Sequence, residues 1–184
     1  MIVSALIASD YRKYKKYGGN FISILFFTQG FWAIFQYRIS NAIYRRIKIP
    51  IFRHFLLFIC LIWQKFTEII TGISIPYSVS IGHSFYIGHF GGIILNANTV
   101  LGNNCNISQN VTIGVSGLGE KRGVPIIGNN VYIGANSVVA GKIVIADNVL
   151  IGACSLVTTD AKNHDVLLGV PAVVISNKGS EGYI

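Results

Sequence analysis

Four histidines are the side chains in this sequence best suited to acid–base chemistry. They are His54, His83, His89 and His164. An imidazole ring titrates near neutral pH and therefore often serves as the general base that takes a proton from a hydroxyl group. His89 is the strongest candidate, because it stands in the segment IGHFGG (residues 87–92), just before a break in a repeated pattern. A break of this kind bulges the backbone and turns a side chain outward, so His89 is predicted to be a catalytic base.

The pattern that positions His89 is a six-residue repeat between Ile75 and Lys162. Each unit begins with Ile, Leu or Val, often followed by Gly, as in IGHSFY (81–86) and IGNNVY (127–132). A period of six fits neither a helix nor a flat strand and is typical of a parallel β-helix. Three units make one triangular coil, so twelve complete units predict about four stacked coils. The two additional residues that break the phase are predicted to be Ile93 and Ile94.

Composition and charge divide the chain into two parts. Of its 184 residues, 52% are hydrophobic and only 12% are charged, which excludes a disordered protein. The net charge of +8 arises entirely in residues 1–72, which hold ten basic and two acidic residues, whereas residues 73–184 hold five of each. We therefore predict a basic and apolar α-helical region at 1–72. A β-helix domain is predicted at 73–184, with a loop at 115–126 and a C-terminal tail.

The cysteines and the apolar stretches bear on the location of the protein. Cys60, Cys105 and Cys154 show no C-x-x-C spacing, which favours a reducing, cytoplasmic compartment. The apolar stretches 21–35 and 52–63 are both shorter than the roughly 20 residues of a membrane-spanning helix. Two interpretations stay open for residues 1–72: helices that pack on each other and on the second domain, or amphipathic helices on the inner membrane face. Nucleic-acid binding is not predicted, because the basic residues are confined to apolar helices.

These motifs resemble the left-handed β-helix acyltransferases, in particular their serine-acetyltransferase-like branch. The resemblance rests on the repeat block, on the ending LGVPA (168–172), and on the upstream segments QGFWAI (29–34) and TGISI (71–75). It implies a left-handed parallel β-helix preceded by helices, and a homotrimer of acetyl-CoA-dependent enzymes with active sites between neighbouring prisms. It also places His89 at the position of the catalytic histidine of the family.

The same resemblance implies which residues would hold acetyl-CoA. Small residues let the backbone approach the pantetheine arm closely, although the turns of hexapeptide repeats need Gly or Ala in any case. The expected cofactor-binding residues are Gly114, Ser116, Gly134, Ala135, Gly152, Ala153 and, for a phosphate group, Lys178.

Three positions depart from the pattern of serine acetyltransferases. The Asp that precedes their catalytic histidine is Gly88 here, and the Asp that opens their first coil and pairs with the histidine is Ser74. The histidine of their long loop corresponds to Val124. A zwitterionic amino acid needs charged partners for its amine and its carboxylate. We therefore predict that the acceptor is not serine.

The predicted acceptor is instead a sugar hydroxyl of a bacterial surface polysaccharide or of its precursor. The loop GLGEKRG (117–123) resembles that of enzymes from colanic acid and capsule clusters, and His83 and Arg122 are predicted to bind the substrate. The alternatives are a serine O-acetyltransferase of cysteine biosynthesis and a non-catalytic trimeric scaffold. No metal site is predicted, because His83 and His89 lie on different faces of one coil and no third histidine falls nearby.

Overall fold

The computed structural model describes residues 2–184 and begins with a bundle of helices. They are α1 (Val3–Lys16), α2 (Phe21–Phe27), α3 (Gln29–Arg46) and α4 (Pro50–Thr71). A reciprocal pair of hydrogen bonds between Asn20 and Ser23 caps the start of α2. Pro50, with its fixed φ, begins α4, and Gly72 in the left-handed conformation (φ 67°) ends it.

Helix α4 is longer than the apolar stretch that suggested it. Its 22 residues include an 18-residue window with a mean hydropathy of 1.3, so α4 could cross a membrane by length and composition alone. The expectation that no segment is long enough was therefore wrong. The helix continues beyond the apolar stretch through three polar residues that are buried on its inner side, Gln64, Thr67 and Thr71. Only 28% of the apolar window is buried, so most of α4 faces outward.

From Ile73 onward the chain winds into a three-sided prism of short strands. The first face contains β1 (Ile73–Ser74), β4 (Ile93–Leu95), β7 (Thr112–Gly114), β10 (Val138–Ala140) and β13 (Leu156–Val157). The second face contains β2 (Ser80–Ile81), β5 (Val100–Leu101), β8 (Ile126–Ile127) and β11 (Val144–Ile145). The third face contains β3 (Tyr86–Ile87), β6 (Asn106–Ile107), β9 (Tyr132–Ile133), β12 (Leu150–Ile151), β14 (Val166–Gly169) and the antiparallel β15 (Ala172–Ser176).

The predicted left-handed parallel β-helix of about four coils is confirmed. The first residue of every repeat unit points inward and is buried. Ile107, for example, aligns with Ile87 of the preceding coil and with Ile133 of the next one. The six-residue phase therefore produces ladders of aliphatic side chains along the axis of the prism.

The N-terminal helices close the open end of the prism. Strands of the first coil have no earlier coil to pair with, and their backbone groups need other partners. The Tyr14 hydroxyl donates to the Ile87 carbonyl (2.9 Å) and accepts from the Ile87 N–H (3.2 Å). The Tyr37 hydroxyl donates to the Val79 carbonyl (2.8 Å). Because both tyrosines belong to the same buried cluster as the strands, the helices and the prism share one hydrophobic core.

A buried ion pair fixes α1 and α3 to the first coil. Arg38 Nε lies 2.8 Å from Asp10 Oδ2, and the two side chains are 2% and 0% exposed. Arg38 also donates to the carbonyls of Ile81 (2.8 Å) and Gly82 (2.6 Å), and Asp10 accepts from the Phe85 N–H (2.8 Å). Burial raises the pKa of Asp10, and the Arg38 guanidinium opposes that rise. The pair thus satisfies backbone groups that the first coil leaves unpaired.

A column of asparagines runs along the corner between the second and third faces. Asn104, Asn130 and Asn148 have φ values of 59°, 54° and 60°, a conformation that Asn tolerates better than most residues. Asn104 Nδ2 donates to Asn130 Oδ1 (2.8 Å), and Asn130 Nδ2 donates to Asn148 Oδ1 (2.9 Å). At the end of the column next to α1, Lys13 Nζ donates to Asn104 Oδ1 (2.7 Å).

Lys13 is expected to make the free energy of unfolding depend on pH in the alkaline range. Burial lowers the pKa of Lys13 from 10.5 to about 8. The folded form therefore releases this proton more readily than the unfolded form does. The free energy of unfolding should rise as the pH increases from about 8 to about 10.5, with no contribution from Lys13 to the pH dependence below that range. Thermal unfolding of wild type and Lys13→Met across this range tests the prediction; a constant difference between the two proteins would contradict it.

Candidate functional site

His89 lies at the corner that follows β3, where the chain passes from the third face to the first, and its side chain is exposed. The two additional residues of the repeat are accommodated at this corner, in segment 88–92. They are not Ile93 and Ile94, as predicted, because these two residues form the regular start of β4. The two glycines that end the segment adopt φ values of 101° and 60°, which other residues rarely reach.

The end of α4 fixes the position of this corner. The Gly91 N–H donates to the Thr71 carbonyl at 2.8 Å. A Cβ atom on Gly72 would lie 3.0 Å from the Cα atom of Gly91, so the close approach requires glycine. In β1, the Ser74 hydroxyl donates to Glu68 Oε1 at 2.7 Å. The helix therefore brings a carboxylate to the start of the first coil.

Glu68 is held as an ionised carboxylate. Burial alone would raise its pKa, but hydrogen bonds from Lys65, Ser74 and Gln64 together lower the pKa below its ordinary value. Gln64 Nε2 lies 2.8 Å from Oε1, and Lys65 Nζ lies 2.6 Å from Oε2. Glu68 thus carries a negative charge at neutral pH.

His89 forms part of the wall of a hollow of about 210 Å³ on the third face. The wall is formed by Tyr17, Tyr86, Gly88, His89, Asn106, Ile107, Ser108, Tyr132 and Tyr183. Tyr17 directly follows α1, Tyr86 and Tyr132 belong to β3 and β9, and Tyr183 lies in the C-terminal tail. The hollow has room for a small molecule beside the imidazole ring.

Aromatic contacts and one asparagine hold this wall together. The rings of Tyr17 and Tyr86 stack with centroids 4.4 Å apart, and those of Tyr132 and Tyr183 lie 5.2 Å apart. Asn106 Nδ2 donates to the Tyr17 hydroxyl (2.8 Å) and to the Tyr183 carbonyl (3.0 Å). Burial, and then the neighbouring Tyr17, raise the pKa of Tyr86. Segments from near both ends of the chain therefore meet at the hollow.

Asn106 also carries a buried acceptor atom without a hydrogen-bond partner among the described residues. The residue is 3% exposed, and its Oδ1 atom has no hydrogen-bond partner among residues 2–184. A buried acceptor left without a partner costs about 1–3 kcal/mol.

The sequence prediction did not include these tyrosines or Asn106. A signal for three of them was present, because Tyr86, Asn106 and Tyr132 each take the sixth position of their unit and align across neighbouring coils. Tyr17 and Tyr183 lie outside the repeats, and only the packing of the helices and the tail brings them to the hollow.

Four of the expected cofactor-binding residues lie at the same corner of the prism as His89. Gly134 and Ala135 follow β9, and Gly152 and Ala153 follow β12, two and three coils further along. A Cβ atom on Gly134 would lie 2.6 Å from the Ala153 nitrogen, so this column of turns needs small residues for its own packing.

The other expected cofactor-binding residues lie elsewhere on the prism. Gly114 and Ser116 stand at the next corner, at the base of the loop 115–126, where Ser116 and Gly123 exchange two backbone hydrogen bonds (3.1 and 3.0 Å). The loop contains a short 3₁₀ turn (Gly119–Lys121) and borders a hollow of about 550 Å³. Lys178 follows β15 and is exposed. One protomer alone does not bring these residues beside His89.

The expected substrate-binding residues are also distant from His89 within one protomer. His83 lies at the corner between the second and third faces, in a separate hollow of about 390 Å³ that Arg38 and Arg45 also line. Arg122 is exposed on the loop. Among residues 2–184, His, Cys, Asp and Glu side chains form no group of three that could hold a metal ion.

Several known proteins are similar to this chain. The family model for the bacterial transferase hexapeptide (six repeats) matches residues 125–159. The serine acetyltransferase of Helicobacter pylori is 30% identical over 153 residues, which cover 83% of this chain and 85% of that protein. The serine acetyltransferase of Bacillus pumilus is 28% identical and is covered to 71% of its length, and that of Synechococcus elongatus is 29% identical and is covered to 62%.

Solved structures of serine acetyltransferases are also similar to this chain. The crystal structure of Neisseria gonorrhoeae serine acetyltransferase superimposes with a TM-score of 0.80 and 28% identity, covering 95% of this chain and 66% of that one. A second structure of that enzyme, in complex with serine, gives a TM-score of 0.79 and 29% identity.

These relatives correct the predicted acceptor. The likeness to serine acetyltransferases extends over most of the chain, so the assignment to a surface polysaccharide, and the resemblance to colanic acid and capsule enzymes, were wrong. The findings favour the alternative, serine O-acetyltransferase. The predicted class, an acyltransferase with acetyl-CoA as cosubstrate, is confirmed.

Proposed function

Because this chain belongs to the serine acetyltransferase family, we propose that it transfers the acetyl group of acetyl-CoA to the hydroxyl group of L-serine. One observation carries the catalytic assignment: the exposed imidazole of His89 stands at a bulged corner, in the wall of a hollow. His89 takes the hydroxyl proton while the serine oxygen attacks the thioester carbonyl. The carbon–sulfur bond then breaks, and the thiolate of CoA leaves with that proton.

A carboxylate at the start of the first coil supports this role. Serine acetyltransferases carry an Asp at the start of the first coil, where this chain has Ser74. Here Glu68 of α4 reaches the same place and accepts a hydrogen bond from Ser74. A negative charge close to the corner stabilises the imidazolium that forms when His89 takes the proton.

The loop supplies a group for the carboxylate of L-serine. Arg122 of a neighbouring protomer pairs with the carboxylate, since Arg binds carboxylates well and its loop extends from another corner.

This arrangement requires a homotrimer. The corner that holds His89, Gly134 and Gly152 faces the loop corner of the next prism, with Gly114 and Ser116, and acetyl-CoA lies in the groove between the two. Lys178 contacts a phosphate of the cofactor. A cytoplasmic location fits the cysteines, because Cys60, Cys105 and Cys154 are free thiols.

The proposal predicts the formation of O-acetylserine by the purified full chain. Acetyl-CoA and L-serine are supplied together, release of the CoA thiol is followed with a thiol reagent, and the product is identified by mass spectrometry. L-alanine is the matched control, because it has the same charged groups but no hydroxyl, and it should give no acetylated product. If acetyl-CoA is not consumed with L-serine, the proposed acceptor is wrong.

A further inference from the structure

An apolar stripe runs along the outer side of α4. Its side chains follow one another at spacings of three and four residues, on the side opposite the buried Leu57, Cys60 and Gln64. The stripe comprises Ile51, Phe55, Phe58, Ile62, Phe66 and Ile69, which are between 57% and 86% exposed. A surface helix of a soluble protein ordinarily carries polar side chains on its outer side. An exposed surface of this kind indicates an interaction site.

Helix α2 extends this surface. Its exposed side chains are Phe21, Ile22, Phe26 and Phe27, at 61–73%. An apolar groove of about 340 Å³ joins the two helices, with Leu25 of α2 on one side and Phe66 and Ile70 of α4 on the other. Seven of the eleven phenylalanines of the chain lie exposed on α2 and α4. We call the exposed apolar side chains of these two helices the apolar platform.

The region that contains the platform is strongly basic. Arg45, in the last turn of α3, and Lys48, in the turn that leads into α4, are exposed at one end of the platform. The two acidic residues of region 1–72 are engaged elsewhere: Asp10 is buried with Arg38, and Glu68 is hydrogen-bonded to Lys65. The positive charge near the platform is therefore not neutralised by carboxylates of the same region.

This charge distinguishes between a lipid surface and a second copy of the chain as the partner. A symmetric contact between two copies brings identical patches together, and neither patch offers a free carboxylate for the arginines and lysines of the other. An anionic bilayer satisfies both features, because its interior accepts Phe and Ile side chains and its phosphates attract Arg and Lys.

We propose that the apolar platform is a docking surface for an anionic lipid bilayer, with α4 lying in the plane of the interface. The inner side of α4 packs on α3, and the Arg53 guanidinium lies over the Tyr44 ring at 4.8 Å. Insertion of α4 across the bilayer would break these contacts, whereas docking of its outer side preserves them. The binding is therefore peripheral, and it positions the prism beside the membrane.

Sedimentation of the full chain with lipid vesicles tests the proposal. Vesicles of phosphatidylcholine alone are compared with vesicles of phosphatidylcholine and phosphatidylglycerol. Wild type should bind the anionic vesicles at least about tenfold more strongly, and added salt should weaken the binding. The variant Phe55→Gln/Ile62→Gln/Phe66→Gln and the variant Arg45→Glu/Lys48→Glu should each bind at least about tenfold more weakly than wild type.

A matched control replaces exposed apolar residues of β15, at the end of the prism opposite the helices, in Val173→Gln/Ile175→Gln, and should bind like wild type. Thermal unfolding shows whether each variant is folded. The proposal is overturned if wild type does not bind anionic vesicles, or if the platform variants bind as wild type does. It is also overturned if wild type without vesicles forms an assembly larger than the homotrimer and the apolar variant reduces that assembly to a trimer, because a second copy would then cover the platform. Resistance to carbonate extraction would show that α4 crosses the bilayer, and would equally overturn the proposal.

Discussion

Replacement of His89 by alanine is expected to lower kcat/KM for acetyl transfer about 10²- to 10⁴-fold, because a well-placed general base contributes about that much to the rate. The loss should appear in kcat, since His89 acts on the proton that moves in the transition state. The KM for acetyl-CoA should change little, because the residues assigned to the cofactor lie on other coils and on the loop corner. Initial rates of CoA release with L-serine measure both quantities.

His83 provides the matched control for this experiment. It occupies the same position of the preceding repeat unit as His89, but it lies at another corner, in a separate hollow. The His83→Ala variant should retain kcat, and the predicted contact of His83 with substrate would appear only as a raised KM. An equal loss of kcat in both variants would show that the position in the repeat, and not the chemistry of His89, matters.

Removal of one partner of the buried Asp10–Arg38 pair is expected to destabilise the protein by about 3–5 kcal/mol. Arg38→Met leaves the Asp10 carboxylate in an apolar environment and removes the donors to the Ile81 and Gly82 carbonyls. For a chain of this size, the loss corresponds to a decrease of roughly 6–20 °C in Tm. Denaturant unfolding followed by circular dichroism measures the free energy directly.

The surface pair of Lys65 and Glu68 is the control for the buried pair. The Lys65 side chain is 71% exposed, so Lys65→Met should cost no more than about 1 kcal/mol. The double variant Asp10→Asn/Arg38→Met should be more stable than the sum of the single effects predicts, because neither charge is then left alone. If Arg38→Met costs no more than Lys65→Met, the ion pair does not hold the helices on the prism.

The prism could be predicted from the sequence because a single local rule, an aliphatic residue every six positions, determines the direction of each side chain. The rule is ambiguous at the His89 corner. Ile93 and Leu95 both fit an inward position, and both are buried. The sequence alone therefore did not show that the two additional residues lie at 88–92. Only the pairing of Ile93 with Ile73 establishes this position.

The rest of the site depends on contacts between distant parts of the chain. Tyr17 and Tyr183 reach the hollow because α1 and the tail pack against the third face, and no repeat specifies this. The error about the acceptor had a related cause. The departures at Ser74, Gly88 and Val124 were taken as a loss of charged partners. However, the Ser74 hydroxyl donates to Glu68 on α4, and the repeat pattern does not predict this contact.

The stacking of the prism also bears on how such chains change during evolution. Ile151 of β12 aligns with Ile133 of β9, one turn of 18 residues earlier, and the strands from β4 to β12 pair only with strands of the turns above and below them. Duplication or deletion of a whole turn beyond the second would leave every remaining ladder in register. The length of the prism can therefore change in evolution by whole turns. The segment that carries His89 would stay anchored to the N-terminal helices, at the end of the prism where the first turn lies.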